Sequence, residues 1–365
     1  MAIREHTLDN GLEIVAEINE RAYSAAFGFF VKTGSRDESP ELSGVSHFLE
    51  HMVFKGTQNR SADDVNRELD EIGSQSNAFT SEEQTVFYAA VLPEYQDRTV
   101  ELLADMMRPA LRTADFETEK QVILEEIAKY EDQPPFGAYE KALDSHFRGH
   151  ALGRNILGSV ESVTSLQVDQ MRGYFESHYS PRNINLIASG NVDFDRLVEQ
   201  AEMHCAAWPD VVAAQDPMRL SRVSSHIESS SYTHELASQQ YVIMISDAPS
   251  SNDEMRFAAR VLATVLGDDS GSRMFWELID NGRADWAGMA PHEYEGTGVY
   301  LMFLSCQPEA VNENLAAMHE IVAAAERDGI AEEELEQAVN KICSQIVLSS
   351  ERPMSRLFSV GSSWM

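Results

Sequence analysis

The stretch His47-Phe48-Leu49-Glu50-His51 places two histidines four residues apart, with a glutamate between them. Residues at positions i and i+4 of a helix share a face, so both imidazoles can reach one metal ion. Glu50 lies on nearly the same face, where a carboxylate can assist a metal-bound water. The stretch therefore predicts half of a catalytic zinc site. The alternative is a pair of ordinary histidines, either solvated or buried in a core.

A catalytic zinc site needs a third protein ligand, and a second helix can provide it. Segment 115–132 has the apolar spacing of a helix, with Asp115 as a cap at its start and two prolines beyond its end. Glu119 and Glu126 are seven residues apart, so they project from the same face of this helix. One of the two glutamates can bind the metal while the other supports it.

The sequence around these residues resembles a known family. The run from His47 to Thr57, HFLEHMVFKGT, is similar to the pitrilysin-type metallopeptidases, whose H-x-x-E-H order is the inverzincin signature. The resemblance is to the branch of small bacterial enzymes and the β subunit of the mitochondrial processing peptidase. It continues through the N-terminal half in four further stretches, which are 73–81, 119–126, 150–158 and 179–183.

The resemblance implies a role for each residue of the metal centre. His47, His51 and Glu126 would bind Zn²⁺. Glu50 would be the general base on the zinc-bound water. Glu119 would be a second catalytic carboxylate that supports the site. The implied reaction is hydrolysis of peptide bonds in unfolded peptides by a metalloendopeptidase.

The resemblance also implies where a peptide substrate binds. The stretch 76–80 matches the strand that pairs with the substrate backbone, so Asn77, Ala78 and Phe79 are predicted to contact the substrate. Phe48 and Phe54 are predicted to border its primed-side pocket together with Phe79. The alternative for these three aromatic side chains is packing in the core.

Composition and charge exclude several classes of partner. The 365 residues contain 28 Lys and Arg and 60 Asp and Glu, so the formal net charge is −32. Such a charge argues against nucleic acid and anionic membranes as partners. The first residues lack the apolar core of a secretory signal, and no apolar stretch approaches membrane-spanning length. The three cysteines share no metal-binding spacing. These features predict a cytoplasmic protein with reduced thiols.

Periodicity predicts an α+β protein with two pseudo-repeated domains, and the resemblance implies that each is an antiparallel sheet with helices packed on it. The domains are predicted over 1–210 and 225–365, with 206–224 as the linker. The second half should contain strands at 226–236, 239–247, 284–294 and 297–306, and helices at 252–266, 271–281, 310–328 and 331–350. Since the family usually extends several tens of residues further, the second domain is expected to be incomplete at its C-terminus.

The second domain departs from the family pattern. Many members carry there an Arg and a Tyr that hold the substrate carbonyl, and those positions align with Ile279 and Trp286. Isoleucine donates no hydrogen bond, and an indole N–H only donates. Arg283 lies near enough in sequence to substitute. We therefore predict a homo- or heterodimer, in the latter case with a related subunit that supplies the missing pair.

A competing interpretation is a non-catalytic subunit of the same fold, as in the core proteins of respiratory complexes. Such proteins typically lose residues of the zinc motif. In this chain the four residues are all present, which are His47, Glu50, His51 and Glu126. The peptidase is therefore the favoured prediction, with the structural subunit as its alternative.

Overall fold

The computed structural model describes residues 2–211, 227–235 and 237–365, which form helices and sheets in alternation. The strands of the first half are β1 (Ala2–Thr7), β2 (Glu13–Ile18), β3 (Ala25–Val31), β4 (Gln75–Thr80), β5 (Thr85–Val91) and β6 (Ile184–Gly190). The helices of the first half are α1 (Val45–Val53), α2 (Ala62–Glu71), α3 (Gln96–Met106), α4 (Thr113–Glu131), α5 (Pro134–His146), α6 (Val160–Ser165), α7 (Val168–His178) and α8 (Phe194–Cys205).

The strands of the second half are longer than those of the first. Its strands are β7 (Gln240–Ala248), β8 (Trp286–Tyr294) and β9 (Thr297–Cys306). Its helices are α9 (Arg256–Gly267), α10 (Val311–Asp328), α11 (Glu332–Ser349) and α12 (Pro353–Trp364). Two predicted elements differ from the structure. The predicted strand 226–236 is absent over 227–235, and the predicted helix 271–281 is reduced mainly to a π-helical turn, Phe275–Ile279.

The chain forms two compact units that each take segments from both halves. Unit 1 comprises Met1–Ile127, Asn155–Gln215 and Val347–Met365, and unit 2 comprises Ala128–Arg154 and Asp216–Ile346. Compared with the linear division predicted from the sequence, α5 belongs to the second unit and α12 to the first. Of the predicted linker, residues 206–211 belong to unit 1, and 212–224 lie outside the described residues.

The sheet of unit 1 has the order β1-β2-β6-β3-β5-β4, so β4 is an edge strand. Its pairs are antiparallel except β2 and β6, which run parallel. The sheet is thus antiparallel as predicted, apart from this one parallel pair. A parallel pair requires a long crossover, and here the whole segment between β2 and β6 provides it.

Both faces of this sheet are covered. On one face Phe27 and Phe29 are fully buried in the main core, together with Phe48 and Leu49 of α1. On the other face Leu357 of α12 is fully buried in a smaller core that contains Phe30 and Ile187. The sheet is therefore held rigidly between two layers, and its edge strand β4 lies beside α1.

The sheet of unit 2 has the order β7-β9-β8 and is entirely antiparallel. One of its cores combines Leu304 of β9 with Met318 of α10. A second cluster combines Leu143 of α5 with Phe147 and Val299. Helix α5 thus packs on the sheet of the second half, although it comes from the first half of the sequence.

Candidate metal centre

Helix α1 carries the H-x-x-E-H motif and is anchored at its start. Phe48 and Leu49 are fully buried, which fixes the apolar face of the helix in the main core. At its N-terminus the buried carboxylate of Glu38 accepts hydrogen bonds from the N–H groups of Gly44 and Ser46, both at 2.8 Å. A carboxylate at this end also complements the helix dipole. The motif therefore lies on a well-supported helix.

His47, His51 and Glu126 converge on one point. Glu126 Oε2 lies 3.6 Å from His51 Nε2 and 3.8 Å from His47 Nε2. The ligand atoms of tetrahedral zinc lie about 3.3 Å apart, so small side-chain movements would bring these three atoms to one ion. Within the described residues, this is the one group of three metal-ligating side chains that converges in this way.

Glu119 contacts the predicted metal ligand His51 and can orient its imidazole ring. Its Oε1 lies 2.8 Å from His51 Nδ1, and its Oε2 lies 2.5 Å from Lys55 Nζ. Because an ionised carboxylate only accepts, His51 carries its proton on Nδ1 and keeps the lone pair of Nε2 for a metal. Residue spacing alone left open which glutamate of α4 is the ligand, and the family resemblance implied Glu126. In the structure Glu126 lies beside both histidines, and Glu119 contacts His51 from the other side of its ring.

The two histidines have opposite electrostatic surroundings. Burial, together with the neighbouring His51, lowers the pKa of His47 to about 3, so its imidazole is neutral. Burial would lower the pKa of His51 as well, but the hydrogen bond to Glu119 and the carboxylates around it raise that pKa above its usual value. Burial would raise the pKa of Glu119, yet its contacts with His51 and Lys55 lower it. A metal ion at Nε2 would take the place of the proton that His51 favours.

Glu50 contacts strand β4 of the sheet through Thr80. Its side chain is half-buried, and its Oε2 accepts a hydrogen bond of 2.6 Å from Thr80 Oγ1 at the end of β4. Burial raises the pKa of Glu50, and the hydrogen bond from Thr80 and the charge of His51 oppose this rise. A carboxyl group with a raised pKa is suited to accept a proton near neutral pH.

The strand predicted to bind substrate forms the open edge of the sheet. Asn77 is exposed and Ala78 is buried, as expected for alternating residues of an edge strand. The N–H of Ala78 donates to Asn77 Oδ1 at 2.9 Å. This N–H is therefore paired with a side chain that can move, which suits an edge that accepts another strand.

The three predicted pocket aromatics differ in exposure. Phe48 is fully buried and stacks on Phe116, with ring centroids 4.6 Å apart. The prediction that Phe48 borders the substrate is corrected accordingly, because its side chain belongs to the core. Phe54 is partly buried against that same core. Phe79 is partly buried against α12, with its ring 5.8 Å from that of Phe358.

Sequence patterns assign no role to three residues that support the site, which are Glu38, Lys55 and Thr80. The period of two in a strand does place Thr80 on the same face of the sheet as Ala78. Lys55 follows His51 by four residues. These signals are weak because each contact depends on which elements pack together, and the sequence alone does not show that.

The two residues predicted to replace the Arg and Tyr of the family lie in unit 2. Ile279 ends the π-helical turn, and Trp286 begins β8 with its side chain about half exposed. The guanidinium of Arg283 forms ion pairs with Glu277 and Glu313. The one nearby arginine that the sequence offered as a substitute is therefore already engaged by two carboxylates.

The residues fit a catalytic zinc ion. Two imidazole nitrogens and one carboxylate oxygen form the usual protein ligand set of such an ion, with a position left for water. A neutral His47 and a His51 oriented through Nδ1 both present the lone pair that a metal requires. With Glu50 on the same helix as the two histidines, this arrangement is typical of a metallohydrolase.

Comparison with known families identifies the class more closely. The insulinase family, peptidase family M16, matches residues 13–160, and the peptidase M16 inactive domain matches residues 165–342. The chain belongs to this family, which confirms the resemblance to pitrilysin-type metallopeptidases.

Two bacterial relatives match nearly the whole chain. An uncharacterized zinc protease of Streptomyces coelicolor is 32% identical, over 99% of this chain and 80% of the relative. The zinc protease YmxG of Bacillus subtilis, also uncharacterized, is 31% identical, over 97% of this chain and 86% of the relative. The family and these relatives identify the protein as a metallopeptidase with Zn²⁺ as its cofactor.

A solved structure confirms the fold. A protease from Helicobacter pylori superposes with a TM-score of 0.89 at 20% identity, and the match covers 99% of this chain and 89% of that one. The predicted α+β architecture is therefore confirmed. In the described part of the chain, no helix is both long enough and apolar enough to cross a membrane.

Proposed function

We propose that this protein is a zinc-dependent metalloendopeptidase that hydrolyses bonds within unfolded, extended peptides. The observation that supports this most is the convergence of His47, His51 and Glu126, whose ligand atoms lie within 4.8 Å of one another. Glu50 lies on the same helix, and the open edge of the sheet is adjacent to that helix. Metal ligands, a base and a surface for an extended chain thus occur together in unit 1.

The chemistry follows from these groups. Bound by the two histidines and Glu126, Zn²⁺ supplies a Lewis acid that polarises a carbonyl and lowers the pKa of water. Glu50 accepts the proton of the attacking water through its carboxylate. The protonated Glu50 then gives this proton to the leaving amine. His51 is kept in one orientation by Glu119 throughout.

The substrate would add to β4 as a further strand. Main-chain hydrogen bonds dominate binding of this kind, so it selects an extended conformation more than a particular sequence. A carbonyl of the arriving peptide would replace Asn77 Oδ1 as the acceptor for the N–H of Ala78. Folded proteins rarely offer a free extended segment, which is why unfolded peptides are the proposed substrates.

We also propose that full activity needs a second chain of the same family. Ile279 and Trp286 occupy the positions at which many members carry the Arg and Tyr that hold the substrate carbonyl, and Arg283 is held by two glutamates. A related subunit with that pair would complete the site. Purified alone, the chain is expected to cleave peptides slowly, and addition of the related subunit should restore the rate. Full activity of the isolated chain would contradict this part of the proposal.

The variant Glu50→Gln tests the catalytic proposal. Gln keeps the shape of the side chain but cannot accept a proton, so hydrolysis of an unfolded peptide should fall by at least about 10³-fold. Zinc content, measured by elemental analysis, should remain at one ion per chain. The control is Glu125→Gln on the exposed side of α4, which should change neither quantity.

Two results would contradict the proposal in different ways. A wild-type protein without stoichiometric zinc at saturating metal would support a structural subunit instead. Loss of zinc in Glu50→Gln would show that Glu50 is a ligand and that the base has been assigned wrongly. Both measurements use protein purified with any partner chain still bound.

A further inference from the structure

Thr80 joins the predicted base to the predicted substrate strand. Its hydroxyl donates to Glu50 Oε2 at 2.6 Å, which is the shortest side-chain contact that Glu50 makes in the described structure. Oε2 is thereby occupied, and the main-chain N–H of Thr80 adds a second favourable interaction with the same carboxylate.

The position of Thr80 is rigid for reasons that lie in the sheet. It is the last residue of β4 and lies opposite Thr85 of β5 in the register. As a β-branched residue it has few allowed χ1 values, so the strand determines the direction of its hydroxyl. Ala78 lies two residues earlier on the same face, and its burial against the helical layer keeps this face close to α1.

A glutamate needs such support if it is to act as a base. Its side chain has three rotatable bonds, and ordering a side chain of this kind costs conformational entropy. An interaction that orders the carboxylate before substrate arrives removes this cost from the reaction step. A hydroxyl donor is suitable because it holds one oxygen and cannot itself take the proton from Glu50.

We propose that Thr80 is a positioning residue that fixes the Glu50 carboxylate relative to the peptide bound along β4. The inference rests on the proposed function, since it assumes that Glu50 is the base and β4 the substrate strand. It adds that one rigid element sets both the path of the peptide and the orientation of the base. A peptide bond placed by β4 is therefore already in register with the oxygen that accepts the proton.

The test compares Thr80→Val with Thr80→Ser. Valine has nearly the same shape but no hydroxyl, so kcat should fall by about 10- to 100-fold while KM stays within about twofold. Serine restores the donor and should return kcat to within about threefold of wild type. Zinc content should be unchanged in both variants, because the metal ligands are not altered.

A second measurement separates positioning from a structural role. In the Glu50→Gln background a peptide binds without being cleaved, so its Kd can be measured directly. Adding Thr80→Val to this background should leave the Kd unchanged if Thr80 acts through Glu50. A Kd that rises more than about threefold would show that the strand itself is disturbed, and it would overturn the proposal.

Crystal structures of wild type and Thr80→Val give a result that needs no activity. The wild type should show Glu50 in one rotamer with Oε2 on Thr80, and the variant should show it in several. A single, wild-type-like Glu50 rotamer in Thr80→Val would overturn the inference, as would wild-type kcat in that variant. Failure of the proposed function would look different from failure of this inference. In that case the wild-type protein would bind zinc but hydrolyse no peptide, even with its partner present.

Discussion

The two units share a framework but differ in one helix. The strand order β3-β5-β4 of unit 1 matches the order β7-β9-β8 of unit 2. Each unit also includes a helix from the other half of the sequence on its sheet, α12 in unit 1 and α5 in unit 2. The helix that follows the first of these strands is α1 in unit 1 and α9 in unit 2. Helix α1 carries H-x-x-E-H, whereas α9 contains neither histidine nor glutamate.

This difference shows that the shared arrangement of strands and helices does not by itself provide a metal centre. Both units pack helices on a sheet, although β3 is buried at every residue and its counterpart β7 is only partly buried. What unit 1 has in addition is a small group of polar side chains on α1 and α4, together with the residues that support them. Variants that disturb packing in unit 2 and variants that disturb the polar group in unit 1 should therefore have different consequences.

The largest expected effect is a loss of stability in unit 2, caused by Phe147→Ala. Phe147 is fully buried beside α5, with its ring 5.8 Å from that of Tyr294. Its truncation should lower the free energy of unfolding of this unit by about 3–5 kcal/mol. Hydrogen exchange resolved by mass spectrometry would show faster exchange in β7 and β9, with zinc affinity unchanged. The matched control is Phe136→Ala, since Phe136 is about half exposed. A parallel loss of zinc affinity would contradict the separation of framework from chemistry.

The next largest expected effect is a loss of zinc affinity, caused by Glu126→Gln in unit 1. Structural zinc sites bind with about 10–16 kcal/mol shared among four ligands, so loss of one charged ligand should weaken zinc by about 100-fold or more. Competition with a chelator measures this change, and thermal unfolding of the metal-free protein should be nearly unaltered. Glu125→Gln, on the exposed side of the same helix, is the control. Equal zinc affinity in both variants would exclude Glu126 as a ligand.

A smaller loss of zinc affinity is expected from Glu119→Gln. The substitution weakens the contact that orients His51 and removes the charge that pairs with Lys55. Partners of this kind typically change metal affinity by about 10- to 100-fold. The same chelator competition would place this variant between Glu125→Gln and Glu126→Gln. If its affinity fell below that of Glu126→Gln, the assignment of ligand and support would have to be exchanged.

The parts of the site that could be predicted from the sequence follow from residue spacing within single helices. His47 and His51 share a helix face because they are four residues apart, and Glu119 and Glu126 share one because they are seven apart. Such relations hold within one helix and require no knowledge of the fold. The resemblance to the family then joined the two helices into one site.

The remaining parts depend on which elements meet. An apolar stripe on α5 or α12 predicts that the helix is buried, but it does not show which sheet covers it. The exchange of these helices between units therefore could not be read from the sequence. The same holds for the insertion of β6 between β2 and β3, and for the contact of Thr80 with Glu50.

The smallest effect is expected from Glu38→Gln, which tests how α1 differs from α9 at its start. Glu38 accepts the N–H groups of Gly44 and Ser46, whereas α9 begins at Arg256 without a side-chain cap. The amide of Gln offers one acceptor oxygen in place of two, so the free energy of unfolding should fall by about 1–2 kcal/mol. Denaturant titration measures this change, with the exposed Glu20→Gln as control. Zinc affinity should fall less than in Glu119→Gln, because the cap acts on the whole helix and not on one ligand. A larger loss of zinc than in that variant would mean that the start of α1, and not the contact to His51, is what chiefly orients the ligands.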